Sequence, residues 1–326
     1  MTHIPRLADL PIPPHGNIGW PWTEESPQLS TPMQNDAAWP LVSIVTPSYN
    51  QGEHIEKTIR SVLLQGYPNL EYIIIDGGSA DQTVEIIKKY EPWLNYWVSG
   101  RDNGQSDAIN KGFSKTAGQI LSWLNSDDYL EKHALKHVAM AFTAADENVG
   151  AVVGIGNWVT IYGEIAAGNL PSEISRKTLL QWSVSDDVWF MQPACFFKRS
   201  AWEYAGPLAL NLHYCMDLAL WIKIAERFQF KMLRANIACA LLHSDAKTVK
   251  EWPNAQAEVA LFFATLPDGF GAATAVMNHL LDWQLAAQMP LAVGAREIRR
   301  LARAIGLGHV RRLVRRLVPK AGNYTK

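Results

Sequence analysis

The sequence predicts an α/β domain built on a Rossmann-like, mostly parallel sheet flanked by helices, followed by a C-terminal helical appendage. Three observations carry this expectation. Between Leu41 and Asp128, short apolar runs alternate with stretches of helical periodicity, the pattern of right-handed βαβ crossovers. Three of these runs end abruptly in polar or glycine-containing turns, where open α/β sheets place their ligands. Beyond His243 the chain turns helical and alanine-rich. With 326 residues, 48% of them apolar and 19% charged, there is enough material for one large core and a smaller appendage.

In chain order, Leu41 to Thr46 is the first strand, closed by a turn from Pro47 to Gly52. Ile55, Ile59, Val62 and Leu63 then recur at helical spacing and form one apolar stripe. Tyr72 to Ile75 is a buried strand ending at Asp76, Gly77 and Gly78, and Val84, Ile86 and Ile87 mark the next helix. Tyr96 to Val98 is a third strand, Gln105 to Phe113 a helix, and Ile120 to Leu124 a fourth strand that stops at Asn125, Ser126, Asp127 and Asp128. A helix is expected from near Glu131. Strands are expected at Ala151 to Ile155, Trp158 to Tyr162 and Trp189 to Phe197, and an amphipathic helix at Asp217 to Phe228.

Three regions follow: a proline-rich extended arm over 1–40, the α/β domain over 41–245, and a helical region over 246–326. The arm lacks the continuous apolar run of a secretory signal. Residues 271–295 are interrupted by Asn278, His279, Asp282, Gln284, Gln288 and Pro290, too often for a lipid-buried helix. Residues 296–326 carry ten Lys and Arg against one acid, so this +9 tail leaves the rest of the chain at −10 within a total of −1. An acidic body with a basic tail argues for an anionic surface at the tail and against nucleic acid on the body. Cys195, Cys215 and Cys239 form no Cys-x-x-Cys pair, which fits a reducing, cytoplasmic setting.

Asp127 and Asp128, preceded by Asn125 and Ser126, concentrate hard oxygen ligands at the end of a buried strand. Magnesium and manganese favour one or two carboxylates together with substrate phosphates and water. The alternative is that the two acids cap the following helix. Neighbouring acids on one turn cannot flank a glycosidic bond as a hydrolase pair does. Asp76 ends the second strand, where a carboxylate can accept from a ribose or a base, and Gly77 and Gly78 permit close backbone approach. Other nucleotide chemistries lose support. The first strand is followed by Pro47 to Gly52 rather than Gly-x-Gly-x-x-Gly, Gly154 and Gly156 form only a lone Gly-x-Gly, and Gly104 to Lys111 lacks a Gly-Lys-Ser/Thr ending.

Taken together, VSIVTPSYNQGEHIEKTIRSVLLQGYPNLEYIIIDGGSADQT, DNGQSDAINKG and ILSWLNSDD strongly resemble the family 2 glycosyltransferases of GT-A fold, over roughly residues 41–245. The resemblance implies an inverting transfer from a nucleoside-diphosphate sugar to a hydroxyl acceptor, a saccharide or lipid-linked saccharide, with a divalent metal as cofactor. It places Thr46, Pro47, Tyr49 and Asn50 against the nucleotide, Asp76 on the base, and Gly104, Gln105 and Asp107 along the same pocket. Asp127 would take the ribose side and Asp128 the metal. In these turns two positions depart from the family pattern: Asn125 stands where an acid often begins the metal turn, and Gly77 where a second acid often follows Asp76.

The resemblance also implies a general base at Asp217 in HYCMDLALW, with Met216 where many members carry Glu; Asp187 is the second candidate. The alternative for Asp217 is a first-turn acid favoured by the helix dipole. His243 in LLHSDAKT is similar to a histidine that some relatives place near metal and diphosphate, against the alternative of a structural histidine. Gln192 and Pro193 resemble an acceptor-side segment, and the tryptophans are expected in the core. A nucleotide-sugar-binding protein without activity and a metal-dependent phosphohydrolase are the rival readings. In the tail, Ile298, Leu301, Ile305, Val310, Leu313, Val314 and Leu317 recur beside arginines at helical spacing. The tail therefore either docks on the domain or lies on an anionic cytoplasmic membrane surface.

Overall fold

In the computed structural model the described residues are 4–33, 36–160, 163–185, 187–242 and 251–288. The first half alternates β1 (Val42–Ser48), α1 (Ile55–Leu63), β2 (Leu70–Asp76), α2 (Thr83–Tyr90), β3 (Tyr96–Ser99), α3 (Gln105–Phe113) and β4 (Ile120–Trp123). Then come β5 (Tyr129–Leu130), α4 (Ala134–Thr143), β6 (Val149–Thr160), β7 (Ile165–Asn169) and α5 (Arg176–Leu179). The chain continues through β8 (Cys195–Lys198), α6 (Arg199–Ala205), α7 (Met216–Arg227), β9 (Gln229–Leu242), α8 (Trp252–Ala264) and α9 (Phe270–Gln288).

Among the described residues the strands form one nine-stranded sheet in the order β3-β2-β1-β4-β8-β6-β9-β5, with β7 added beside β6. β3, β2, β1 and β4 are mutually parallel. Antiparallel β8 joins this half to β6, which runs parallel to β9. Because β1 pairs with β2 on one side and β4 on the other, the strand order reverses between β1 and β4. A crevice opens at such a reversal, beyond the carboxyl ends of the two strands.

Alternation along β1 divides the core into two faces. Val42 and Ile44 pack with Ile55, Ile59 and Val62 of α1, Ile87 of α2 and Leu135 and Val138 of α4. Val45 packs on the opposite face with Ile109 and Phe113 of α3 and Leu218 and Trp221 of α7. Val259 and Phe263 of α8 and Val276 of α9 complete that second cluster. The approach of α3 to β1 requires Gly112, since a Cβ there would fall 2.3 Å from a methyl of Val45.

The arm is extended but packed: Leu10, Met33 and Trp39 join the first core cluster. Two strand expectations need correction. Ala151 to Ile155 and Trp158 to Thr160 belong to one continuous strand, with residues 161–162 outside the described set. The strand expected from Trp189 covers only Cys195–Lys198, because Gln192–Ala194 forms a 3-10 turn in which Pro193 offers no ladder N–H. The expected helix near Glu131 begins at Ala134, after the two-residue β5.

Candidate active site

The site grows from the paired ends of β1 and β4. Val45 pairs with Trp123, and the Leu124 N–H donates to the Val45 carbonyl at 2.9 Å, so the turns after both strands begin side by side. After β1, Tyr49 is 63% exposed. Asn50 adopts a left-handed φ of 51°. Its N–H donates to Ser79 Oγ at 2.7 Å, and its Oδ1 accepts from the Ala80 N–H at 2.9 Å. These bonds zip the turn after β1 to the turn after β2. Thr46 lies deeper, its buried hydroxyl 3.0 Å from that of Tyr72, and Pro47 pairs with Ile75 inside the ladder.

Asp76 is fully buried and accepts from four donors. The N–H groups of Gly78 and Ser79 reach it at 3.1 and 2.9 Å, and the hydroxyls of Ser79 and Ser99 at 2.5 Å each. This carboxylate shapes the turn from within, and what the turn exposes is Gly78 and Ala80. Gly77 is also explained by space: a Cβ there would come within 3.1 Å of the Asp102 carboxylate, so a second acid at 77 would press against Asp102. Asp102 accepts from the N–H of Gly104, whose φ of 98° suits glycine. Asp107 turns inward to the same loop, bonding the Asn103 N–H at 2.9 Å and Lys111 at 2.8 Å. The Lys111 hydrogen bond first, and the Asn103 N–H next, hold its carboxyl below the usual range.

The turn after β4 carries a polar network of its own. Gln105 Nε2 donates to Asn125 Oδ1 at 2.8 Å, and Asn125 Nδ2 donates to Asp128 Oδ2 at 3.1 Å, a relay from the start of α3 to the acid. Asp128 is 6% exposed, whereas Asp127 is half-buried beside it. Burial first, and the neighbouring Asp127 charge second, push the Asp128 carboxyl well above its ordinary value against the pull of Asn125 and the Leu241 N–H. A buried carboxylate with only neutral donors and a like charge at its side is suited to a hard divalent cation. Among the described residues no three His, Cys, Asp or Glu side chains converge. His243 lies outside the described residues, two positions beyond the Leu241 that bonds Asp128.

Asp217 stands in the first turn of α7, half-buried, with Oδ1 accepting the Leu218 N–H at 2.7 Å. It lies close enough to Cys195 that its charge, after burial, helps to push that thiol up. Cys195 follows the Gln192–Ala194 turn, and Gln192 Nε2 donates to the Trp123 carbonyl at 2.9 Å. Asp217 thus borders the segment that abuts the end of β4. Asp187 is exposed on a loop, its N–H 3.4 Å from Ser185 Oγ.

A family model described as glycosyl transferase family 2 matches residues 43–202, the span that holds the β1, β2 and β4 turns. Residues 43–202 form a glycosyl transferase family 2 domain. Similar proteins include an uncharacterized glycosyltransferase, Rv1514c, of Mycobacterium tuberculosis (strain ATCC 25618 / H37Rv), 40% identical over 90 residues, 27% of this chain and 34% of the relative. Hyaluronan synthase of Pasteurella multocida is 29% identical over 217 residues, 65% of this chain and 21% of that protein. The chain thus spans about a third or less of the length of these relatives. Among solved structures, the mannosyltransferase PcManGT from Pyrobaculum calidifontis, in complex with GDP-Man and Mn2+, superposes with a TM-score of 0.54 at 19% identity. It covers 84% of this chain and 85% of that one.

The GT-A fold brings Asn50, Asp76, Gly104, Gln105 and Asp128 into connected turns. Sequence reasoning missed three contributors. Ser48, at the end of β1, has a buried hydroxyl with no partner among the described residues. Asp102 fills the space over Gly77, and Ser99 completes the ligation of Asp76. Asp102 opens the DNGQSD motif two residues before Gly104, and that position was its signal. Nothing local marked Ser99, which reaches Asp76 only through the pairing of β2 with β3.

Proposed function

We propose that the chain is an inverting glycosyltransferase that moves a sugar from a nucleoside-diphosphate donor to a hydroxyl of a saccharide or lipid-linked saccharide, in cell-surface polysaccharide or glycolipid assembly. The observation that carries this reading is the Asp127–Asp128 turn at the sheet's reversal point, with one carboxylate buried against another. The Mn2+ and GDP-Man held by the structural neighbour PcManGT support a sugar-nucleotide donor, and hyaluronan synthase supports a polysaccharide product.

The nucleoside lies along the turns after β1 and β2, with the base against the Asp76–Ser79 turn and the ribose toward Asp127. Asp128, with His243, would hold magnesium or manganese, which when bound neutralises charge on the diphosphate. Asn125 and Gln105 orient Asp128 for that task. On the acceptor side Asp217 accepts the hydroxyl proton while the oxygen attacks the anomeric carbon. The new C–O bond forms on the face opposite the diphosphate oxygen as the old bond breaks, so the configuration inverts. A carboxylate positioned for this transfer contributes roughly 10²–10⁴-fold.

The test is an assay of nucleotide-sugar donors with and without saccharide acceptors, run on the parent chain and on Asp217→Asn. The expected result is nucleoside diphosphate without inorganic phosphate, a product of inverted anomeric configuration by NMR, and a roughly 10²–10⁴-fold loss of turnover in the variant with donor affinity retained. Inorganic phosphate as a product would instead mark a phosphohydrolase. Binding without turnover would mark an inactive nucleotide-sugar-binding protein.

A further inference from the structure

The first helix of the domain has two polar faces that the donor-site reading does not use. On one, Thr58 is 1% exposed and its hydroxyl lies 2.6 Å from the Asp128 carbonyl and 3.0 Å from the Ser126 carbonyl. Ser61, one turn further, accepts the Leu130 N–H at 3.0 Å. Gln65, just past the helix end, donates to the Glu131 carbonyl at 2.9 Å. These side chains recur along one side of the helix and grip the backbone from Ser126 to Glu131, the stretch that contains and follows the two acids.

On the other face Arg60 is fully buried. Its guanidinium donates to the carbonyls of Pro21 at 3.1 Å, Pro11 at 2.9 Å and Trp22 at 2.9 Å, and to the Tyr90 hydroxyl at 3.1 Å. Three arm carbonyls are therefore fixed to the helix that holds the acid turn. The arm touches the far side of the same stretch as well. Trp20 Nε1 donates to the Leu130 carbonyl at 2.8 Å, and Ser26 Oγ accepts the His133 N–H at 3.2 Å. The backbone after Asp128 is held between helix and arm, and the arm lies wholly outside the 43–202 family match.

We propose that Thr58 is a positioning residue for the Asp127–Asp128 turn, and that the arm, locked to the same helix through Arg60, is the brace that keeps helix and turn in register. The Thr58 hydroxyl bonds backbone carbonyls of the turn. It fixes the carbonyl of the residue whose carboxylate would hold the cation, so it sets the direction in which that carboxylate points. The inference rests on the donor-site reading for its functional consequence, and on the hydrogen bonds alone for its structural one.

Thr58→Val keeps the branched shape and removes the donor, whereas Thr58→Ser keeps the donor and removes the methyl. The measurements are the manganese concentration that half-saturates UDP or GDP binding by calorimetry, and amide hydrogen exchange across residues 126–131. Thr58→Val is expected to raise the manganese requirement about tenfold or more and to speed exchange in that stretch, with Thr58→Ser restoring both to within about twofold of the parent. Parent-like behaviour of Thr58→Val in both measurements overturns the proposal, as does a Thr58→Ser variant no better than Thr58→Val. If the parent chain itself binds neither nucleotide with manganese, the donor-site reading fails. The exchange rates then decide the positioning claim, and unchanged exchange in Thr58→Val refutes it.

Discussion

Asp128 keeps its carboxylate 6% exposed beside Asp127, with the Asn125 amide and the Leu241 N–H as its donors. Both groups are neutral, so the folded chain bears the cost of a buried charge that a bound cation would offset. Asn125 limits that cost, because an acid there would add a third negative charge to the turn, whereas its amide donates to Asp128 and accepts from Gln105. Function and stability should therefore oppose one another at this residue. Asp128→Asn is expected to raise the metal-free stability by about 1–2 kcal/mol, roughly 2–8 °C in Tm, and to lose the further rise that manganese with nucleotide gives the parent. Thermal melts of both proteins with and without manganese and UDP or GDP check this. A variant that melts below the parent without metal would mean that Asp128 is a structural acid.

The helices that carry the candidate site are fastened by elements distant in sequence, and α7 is the clearest case. Glu258 of α8 accepts the N–H groups of His213, Tyr214 and Cys215, which lead into the helix bearing Asp217. Burial alone would raise the Glu258 pKa, but these three donors outweigh it and hold the carboxyl below its ordinary value. A depressed folded pKa contributes stability above the unfolded value, and the contribution fades as pH falls through the folded one. Glu258→Gln should therefore cost about 1 kcal/mol at neutral pH, a figure kept low by solvent screening of this half-exposed group. The difference from the parent should stay constant down to about pH 5 and shrink below the unfolded value near 4.3. Melting curves of both proteins from pH 7 to pH 3 test it, and a difference that widens in acid would reverse the assignment. Such fastenings explain what the sequence left unread. The runs around Ile44, Ile74 and Leu121 are long and apolar enough to declare buried strands, and their abrupt polar ends declared the turns. The short strand at Cys195 hid inside the apolar run from Trp189, where Pro193 alone signalled the break. The four-donor shell of Asp76 and the triple acceptor at Glu258 depend on contacts between separate elements, which no local pattern encodes.

Across the whole molecule, a parallel half-sheet places the turns after β1, β2 and β4 together at its reversal point, and antiparallel β8 lies beside β4 with Asp217, the proposed base, near its first residue Cys195. The arm and the C-terminal helices pack on opposite faces of that sheet, so both ends of the described chain support the site. Among the described residues no helix is long and apolar enough to cross a membrane. The basic segment 296–326, which lies outside the described residues, is proposed to hold the protein peripherally on an anionic, cytoplasmic membrane face, where a lipid-linked acceptor would be met. Co-sedimentation with anionic vesicles at low salt should be strong for the full chain, weak for a chain ending at Ala295, and weakened by high salt; indifference of the full chain to such vesicles would leave the tail as a docked appendage. The central claim is that the β1–β4 crevice holds a sugar nucleotide through Asp128 and a divalent metal, and calorimetric titration of UDP, GDP and the other nucleoside diphosphates with and without manganese tests it most directly. The parent should bind at least one of them only when manganese is present, and Asp128→Asn should bind none. A parent chain that binds no nucleoside diphosphate in manganese, or an Asp128→Asn variant that binds as tightly as the parent, would contradict this assignment.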